Sequence, residues 1–350
     1  GVDPLDLIER FGSDALRYAL IQQAGMGQDM RFSDSRVENT RNFGNKIWNM
    51  SRFVLMNLED FDKNIPIDKS TLRLEDRWIL SRLQDLIGIV NEGFAKYQMD
   101  DPARWLYTYL WNYFCDWYIE LAKPRLRGET KDRICVQKVL YTVLETSMRL
   151  LHPIMPFITE EIWQALPHNG ESIMVSPFPE RDDSLKDMQA EIDMETVMNV
   201  VTAIRSLRAE VGVALSKQIN VVAVSTYARD LIEPNIEFIK NLAKVREFTF
   251  MDSIPEEDIN KYVSAHQPML DLYVEVAGLV DLDKELARID SELASINKEL
   301  ARVTGKLSNE QFTSKAPAEI VEKERRIQSE LQDKKTKLED RKKALGGNAK

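Results

Sequence analysis

One pair among the paired acidic residues of this chain has the spacing that shared proton chemistry would need. Asp116 and Glu120 lie four residues apart, which would put both carboxylates on one face of a helix, where each could shift the pKa of the other. An ion-paired structural role is the favoured alternative for these two residues. The acidic pairs at 160–161 and 182–183 are adjacent in sequence, and adjacent residues on a helix do not face one another. No hydrolase, phosphate-loop or metalloprotease motif accompanies them, so the sequence predicts a chain that binds rather than catalyses.

A row of cations, amides and aromatic residues runs along the helix predicted at residues 34–58. Its members recur at helical spacing and are Arg36, Asn39, Phe43, Lys46, Met50 and Phe53. Aromatic faces stack on unpaired bases and cations contact phosphates, so this row suits single-stranded RNA. Packing of a second helix over the row is the alternative, and composition alone favours it. A neighbouring row is predicted to face the core: Thr40, Gly44, Ile47, Trp48, Ser51, Val54, Leu55 and Leu58.

Two further groups of basic residues are candidates for phosphate contacts. Lys123, Arg125 and Arg127 cluster where a helix is predicted to end, although cations at a helix C-terminus are stabilising without any ligand. Arg205 and Arg208 lie three residues apart on a later predicted helix and could clamp one phosphate group.

The segment 101–127 is the predicted hub of the fold. Helical spacing sorts its apolar residues into two rows, which are Leu106, Leu110, Phe114, Trp117 and Leu121, and Tyr107, Trp111, Cys115, Tyr118 and Ala122. A helix that is apolar on more than one face must be buried by several neighbours. Asp101-Pro102 is the predicted start of this helix, and Lys123-Pro124 is its predicted turn.

The remaining patterns predict a mainly α fold in four parts. Residues 1–33 form a short amphipathic stretch, and 34–212 a helical bundle with helices near 74–96, 131–151 and 184–210. Residues 213–280 form a small α+β module with strands at 218–225, 247–251 and 272–277. Residues 281–350 form an antiparallel coiled-coil hairpin, because apolar residues recur every three and four positions from Leu282 to Leu307 and resume after a ten-residue turn.

The composition is that of a globular chain without a disulfide framework. Cys115, Cys135 and three scattered histidines cannot build a zinc module, and this cysteine usage suits the cytoplasm. The sequence shows no signal peptide and no membrane-spanning run. Residues 281–350 carry 16 Lys and Arg against 14 Asp and Glu, whereas the rest carries 31 against 43, so the C-terminal segment is the better candidate for an anionic partner. The start at Gly1 predicts a fragment of a longer protein.

Several stretches resemble the part of class I aminoacyl-tRNA synthetases for branched aliphatic amino acids that follows the catalytic domain. They are RNFGNKIWNMSRF (41–53), WNYFCDWYIELAKPRL (111–126), LLHPIMPFITEEIW (150–163) and IRSLRAE (204–210). Residues 1–20 and 27–32 resemble the segment directly after the KMSKS loop of these enzymes. KLSNEQFTSKAPAEIVEKE (306–324) is similar to the C-terminal arm of the valyl-tRNA synthetases. The isoleucyl relatives would be expected to end in a zinc module instead.

The resemblance implies a two-part grip on a valine-accepting tRNA, with the bundle on the anticodon loop and the coiled-coil arm on the elbow. It also implies that ATP and Mg²⁺ bind in a catalytic domain outside this chain, that the chain holds no cofactor and is inactive alone, and that it is a monomer. The row from Arg36 to Phe53 then becomes a tRNA-facing surface, joined by Arg31. The alternatives are a protein-interaction scaffold and the same region of an isoleucyl- or leucyl-type synthetase.

Overall fold

The computed structural model describes residues 3–25, 33–214, 216–225, 228–256, 258–275, 282–308 and 318–346. The chain divides into two compact units, residues 1–195 and 196–350. The predicted fold class is confirmed, because the structure is mainly α-helical with one small sheet and a C-terminal pair of long helices. The boundaries predicted at 34, 213 and 281 stay a prediction.

The first unit is entirely helical in its described residues. Its helices are α1 (Pro4–Phe11), α2 (Ser13–Ile21), α3 (Asp34–Met56), α4 (Leu74–Ala95), α5 (Asp100–Tyr107), α6 (Ile119–Leu126), α7 (Thr130–Leu151) and α8 (Pro156–Ala165). Helix α9 (Met188–Val211) begins in this unit, four residues later than predicted, after a 3₁₀ turn at Asp183–Leu185.

Helices α5 and α6 are the two ends of one continuous helix, residues 100–126, which we call the aromatic helix. Its predicted boundaries need correction: the helix begins at Asp100 without a side-chain cap from Asp101, and it runs through Lys123-Pro124 to Leu126. Pro124 lies in the last turn of the helix, where its missing N–H removes one helical hydrogen bond, and the helix ends two residues later.

Residues Thr108–Tyr118 of the aromatic helix are wound as a π-helix, with hydrogen bonds that span five residues. The first predicted row is buried except at Trp117, whereas the second is buried only at Tyr118 and Ala122. The wider turn adds a buried row at spacing five, made of Tyr109, Phe114 and Ile119. The hub role is confirmed by what the helix contacts. The Tyr109 hydroxyl donates to the Ile79 carbonyl of α4 at 3.0 Å, and the Tyr18 hydroxyl of α2 donates to the Ala103 carbonyl at 2.5 Å.

The close approach of α4 to α5 depends on Gly93. A Cβ atom at this position would lie 2.4 Å from Cγ of Pro102, well inside van der Waals contact. We expect Gly93→Ala to lower the free energy of unfolding of the first unit by about 2 kcal/mol, because the added methyl group would force α4 and α5 apart at this point. Urea unfolding would measure this change.

Gly44→Ala is the matched control, because Gly44 is also a helical glycine of the first unit. The nearest atom to its added Cβ would be Cε of Met155 at 3.7 Å, an ordinary contact. This variant should be neutral or more stable by up to about 1 kcal/mol. Equal effects of the two substitutions would contradict the role given to Gly93.

Helix α2 is fixed to the corner between α7 and α8 by two charged side chains. Asp14 accepts the backbone N–H of Ile158 at 2.7 Å and so caps the N-terminus of α8. Arg17 donates to the Ile154 carbonyl at 3.1 Å, where α7 has ended. Each charge complements the dipole of the helix end that it meets, so the pair positions α2, and α3 after it, on the bundle.

The second unit contains a four-stranded sheet. After α9 come β1 (Ile219–Val224), α10 (Arg229–Ile232), α11 (Ile236–Ala243), β2 (Val245–Met251), β3 (Tyr262–Gln267) and β4 (Leu270–Glu275). The strand order is β2-β1-β4-β3, with β1 and β2 parallel and the other pairs antiparallel. Strand β3 was not predicted, because this edge strand alternates only weakly and exposes Ser264 and His266.

The C-terminal hairpin consists of α12 (Leu282–Leu307) and α13 (Ala318–Gly346). Two ion pairs join them, Asp290 with Lys342 at 2.5 Å and Lys306 with Glu324 at 2.8 Å, and they establish that the helices run antiparallel. Most of the predicted turn between the helices, residues 309–317, lies outside the described residues. None of the helices in the described ranges is both long and apolar enough to cross a membrane.

Candidate nucleic-acid interface

Half-exposed aromatic and basic side chains follow the line where α3 packs against the aromatic helix, which we call the seam. Nζ of Lys46 lies 3.9 Å from the centre of the Trp111 ring and 2.6 Å from Oδ1 of Asp116. The Trp111 ring stacks on Tyr107, with centroids 5.3 Å apart and an interplanar angle of 12°. We call Tyr107 and Trp111 the aromatic platform. A stacked pair beside an ammonium group can hold an unpaired base while the cation meets its phosphate.

The seam begins at a cavity of about 330 Å³ beside the first turns of α3. Arg36, Asn39, Arg104 and Tyr107 line it. Arg36 is exposed and donates a hydrogen bond to the side-chain carbonyl of Gln23. A guanidinium group, an amide and a phenol ring therefore converge at this end.

The seam ends about 26 Å further along α3, at Phe53. Nζ of Lys123 lies 5.8 Å from the centre of the Phe53 ring and 2.5 Å from Oε1 of Glu120. Arg127 is exposed one turn beyond Lys123 and makes no side-chain hydrogen bond or ion pair within the described part of the chain.

The cations of the seam are partly neutralised by acidic neighbours. Asp116 pairs with Lys46 and Glu120 pairs with Lys123, so the predicted alternative of structural ion pairs holds for these two acids. Stacking and hydrogen bonding, rather than bulk positive charge, must therefore supply selectivity along the seam. Burial raises the pKa of the neighbouring Cys115 thiol to about 12, which removes it as a nucleophile.

The predicted core row of α3 is confirmed at Thr40, Ile47, Ser51, Val54 and Leu58, but the buried face is wider than predicted and leaves Trp48 out. Phe43 and Met50 are buried, whereas Trp48 is 47% exposed. The Phe43 ring is fully enclosed, with its centroid 5.2 Å from Tyr18 and 4.8 Å from Tyr107. Phe43 therefore supports the aromatic platform from beneath, and the expectation that it faces a partner needs correction.

Arg125 lies in the interior, not on the basic corner predicted for it. Its guanidinium group contacts Glu75 at 2.5 Å, Asp76 at 2.8 Å and Asp132 at 2.7 Å. Burial disfavours the charged guanidinium, but the hydrogen bonds and charges of these carboxylates outweigh it and raise the pKa of Arg125 above its usual range. The role of Arg125 is to neutralise buried acids.

Arg205 and Arg208 bind backbone carbonyls in place of the predicted phosphate. Arg205 donates from Nε and Nη2 to the Leu242 carbonyl at 3.1 and 2.8 Å. Arg208 is buried and donates to the carbonyls of Lys244 at 3.0 Å and Lys217 at 2.7 Å. Lys244 has a left-handed backbone at the end of α11, where helix carbonyls lack partners within the helix. The two arginines therefore cap α11 and join it to α9.

The seam contains Tyr107 and Trp111, which the sequence did not single out as binding candidates. Phe43, which the sequence did single out, is buried beneath the seam. Tyr107 and Trp111 were placed in a row facing the core, but both are only partly buried, and Trp111 lies in the π-helical turn. No sequence signal distinguishes a π-helix here from an α-helix. Arg31 lies outside the described residues. Across the described ranges, no three acidic, histidine or cysteine side chains are placed to hold a metal ion.

Comparison with known families defines the class of this chain. Residues 76–223 match the anticodon-binding domain of tRNA ligases, and residues 281–346 match the valyl tRNA synthetase tRNA binding arm. The aromatic platform lies inside the first match, and α3 precedes it. The helical bundle and the hairpin are thus those of the tRNA-binding region of an aminoacyl-tRNA synthetase.

Individual relatives narrow this class. The chain is 41% identical over 345 residues to a valine–tRNA ligase of Oceanobacillus iheyensis and 43% identical over 349 residues to one of Listeria innocua. It belongs to the valyl-tRNA synthetase family. Each alignment covers 97% of this chain and 39% of the relative, so the chain spans about two fifths of the curated relatives' length. A solved complex of Agrobacterium radiobacter K84 agnB2 LeuRS with tRNA and LeuAMS is 17% identical, with a TM-score of 0.43, and covers 78% of this chain and 30% of that one.

Proposed function

We propose that this chain binds a valine-accepting tRNA through two surfaces, the seam and the C-terminal hairpin. The seam holds the anticodon loop, and the hairpin contacts the elbow of the tRNA. In the longer chains of the relatives, this grip supports the ATP-dependent attachment of valine to tRNA, with ATP and Mg²⁺ bound outside these 350 residues. The working form is a cytoplasmic monomer.

The aromatic platform carries this proposal. Trp111 and Tyr107 are stacked and half-exposed, and Lys46 lies 3.9 Å above the Trp111 ring. Anticodon bases are unpaired, so they can leave their own stack and lie on an aromatic face, which double-stranded RNA cannot do. Arg36, Lys123 and Arg127 are spread along the seam and its exit, where they can meet the phosphates on either side of a stacked base.

The hairpin supports the second surface. Its two helices run antiparallel, as the ion pairs of Asp290 with Lys342 and of Lys306 with Glu324 establish, and α12 alone is about 39 Å long, which suits contact with a distant part of a large partner. It also carries the excess of basic over acidic residues that the rest of the chain lacks. A polyanionic partner is therefore favoured at the hairpin more than at any acidic part of the body.

Titration of the chain with tRNA at 50 and 200 mM salt tests the proposal. We expect affinity to fall roughly tenfold or more between these concentrations, because phosphate contacts release counterions. Transcripts with a valine anticodon should bind more tightly than otherwise identical transcripts with another anticodon. Absent or salt-indifferent binding would favour the protein-interaction scaffold and end the proposal.

Trp111→Ala is expected to weaken binding of the valine-type transcript by about 5- to 150-fold, because stacking of one base contributes about 1–3 kcal/mol. Trp105→Ala is the matched control. Trp105 is a half-exposed tryptophan of the same helix, but it lines a different cavity with Arg82 and Tyr109. A loss of the same size in both variants would remove the aromatic platform from the interface.

A further inference from the structure

Helix α3 carries four asparagines on its exposed surface, Asn39, Asn42, Asn45 and Asn49. Within the described part of the chain, none of their side chains makes a hydrogen bond. Asparagine is a poor helix former because its amide competes for backbone groups, so an exposed helix gains nothing in stability from four of them. Residues that disfavour the helix they lie in, and gain nothing in packing, are expected where a ligand binds.

Three of the four amides lie on the seam side of the helix, Asn39 at the cavity where the seam begins and the other two beside Lys46. Asn42, Lys46, Asn49 and Phe53 are spaced 4, 3 and 4 residues apart, which aligns them along one ridge of α3. Asn42 and Asn49 therefore flank Lys46, whose ammonium group lies on the aromatic platform. They are seven residues, or about 10 Å, apart along the helix axis, too far apart to contact the same base edge.

Asn45 points to a different part of the surface. It lines a cavity of about 450 Å³ together with Trp48 and Phe157, and it points about 100° away from Lys46 around the helix axis. Helix α3 thus has exposed asparagines both on the ridge and away from it, so Asn45 can serve as a control for Asn42 and Asn49.

We propose that Asn42 and Asn49 read the edges of two unpaired bases in the tRNA loop held by the seam, each amide being matched to an adenine. This inference rests on the proposed function and deepens it. A carboxamide presents a donor and an acceptor side by side, which fits the 6-amino group of adenine and the ring nitrogen next to it. Lys46 meets a phosphate and the platform stacks a base, but neither distinguishes one base from another. The amides supply that distinction.

The test uses the full 350-residue chain and a valine-type tRNA transcript whose loop adenines are replaced one at a time by purine riboside, which lacks the 6-amino group. Asn42→Ala and Asn49→Ala should each weaken binding of the unmodified transcript by about 5- to 150-fold. For each variant, one particular adenine replacement should cause no further loss. The dependence on salt should stay that of the wild type, because an amide releases no counterions.

Asn45→Ala is the control and should bind as the wild type does. All three substitutions put a better helix former on an exposed surface, so thermal stability should be unchanged or higher, and weaker binding cannot be ascribed to unfolding. Wild-type affinity in both Asn42→Ala and Asn49→Ala would overturn the inference. It would also be overturned if the loss from each protein variant simply added to the loss from every purine riboside replacement in the tRNA, because no amide would then be matched to a particular adenine.

The inference and the proposed function fail in different ways. If the wild-type chain shows no salt-dependent binding of tRNA, both fall together. If it binds, and Trp111→Ala weakens the complex while both ridge variants bind normally, the seam remains the interface and only the reading of bases by the amides is wrong.

Discussion

Replacing Arg125 by methionine is expected to lower the free energy of unfolding of the first unit by about 3–5 kcal/mol. The guanidinium group lies in the core, where it contacts Glu75 at 2.5 Å and Asp76 at 2.8 Å. Both carboxylates are buried, and a buried charge that loses its counterion keeps the full cost of its desolvation. Methionine is a flexible apolar residue that can occupy much of the same space, so the loss would report mainly the missing charge.

Arg127→Met provides the control for this experiment. Arg127 lies two residues further on, is exposed, and has no side-chain partner in the described ranges, so its replacement should change stability by less than about 0.5 kcal/mol. Urea unfolding followed by tryptophan fluorescence would compare the two variants, since all six tryptophans of the chain lie within the first unit. Similar midpoints for both would show that the buried cluster is not held together by Arg125.

Arg125 also shows where the reading of basic residues from sequence fails. Lys123, Arg125 and Arg127 alternate with other residues at a helix end, and nothing local separates the inward residue from the outward ones. The partners that pull Arg125 inward, Glu75 and Asp76, lie about fifty residues earlier on another helix. Long-range pairing of this kind leaves no periodic signal. The same reason explains Arg208, which binds carbonyl groups up to 36 residues away.

Periodic features were predictable, because helix and coiled-coil packing repeat a short spacing many times. The hairpin of α12 and α13 and the hub role of residues 100–126 are examples. The face that each aromatic residue presents was not predictable, because the π-helical turn shifts every residue after Thr108 relative to an α-helical wheel. Trp111 became part of the seam for this reason. Phe43, on α3, is buried for a different reason, because Tyr18 and Tyr107 pack against its ring.

Glu75→Gln is expected to stabilise the first unit at neutral and alkaline pH, and to have little effect in acid. Burial, followed by the charge of Asp76, raises the pKa of Glu75 to about 7 from the usual 4.5, although the charge of Arg125 opposes the shift. Arg125 is shared with two aspartates, and Oε2 of Glu75 is buried without a hydrogen-bond partner. The fold therefore binds a proton at Glu75 more tightly than the unfolded chain does.

The direction of the pH dependence follows from this difference. A carboxyl group with a raised pKa gives its full stability below pH 4.5, and this stability is lost as pH rises through 7, where the folded protein must hold the buried charge. Glutamine keeps an oxygen for Arg125 and cannot ionise, so its advantage should be near zero at pH 4.5 and about 3 kcal/mol at pH 8.

Glu92→Gln separates this effect from the general loss of an acidic residue. Glu92 lies on the same helix but is exposed, and the hydrogen bond from Lys96 lowers its pKa, so removing its charge should give no gain at pH 8. Urea unfolding of both variants and the wild type at pH 5 and pH 8 decides the matter. A difference between Glu75→Gln and the wild type that is the same at both pH values would contradict the prediction, because it would mean that folding does not raise the pKa of Glu75. Arg125 would then compensate the charge of Glu75 as well as water does in the unfolded chain.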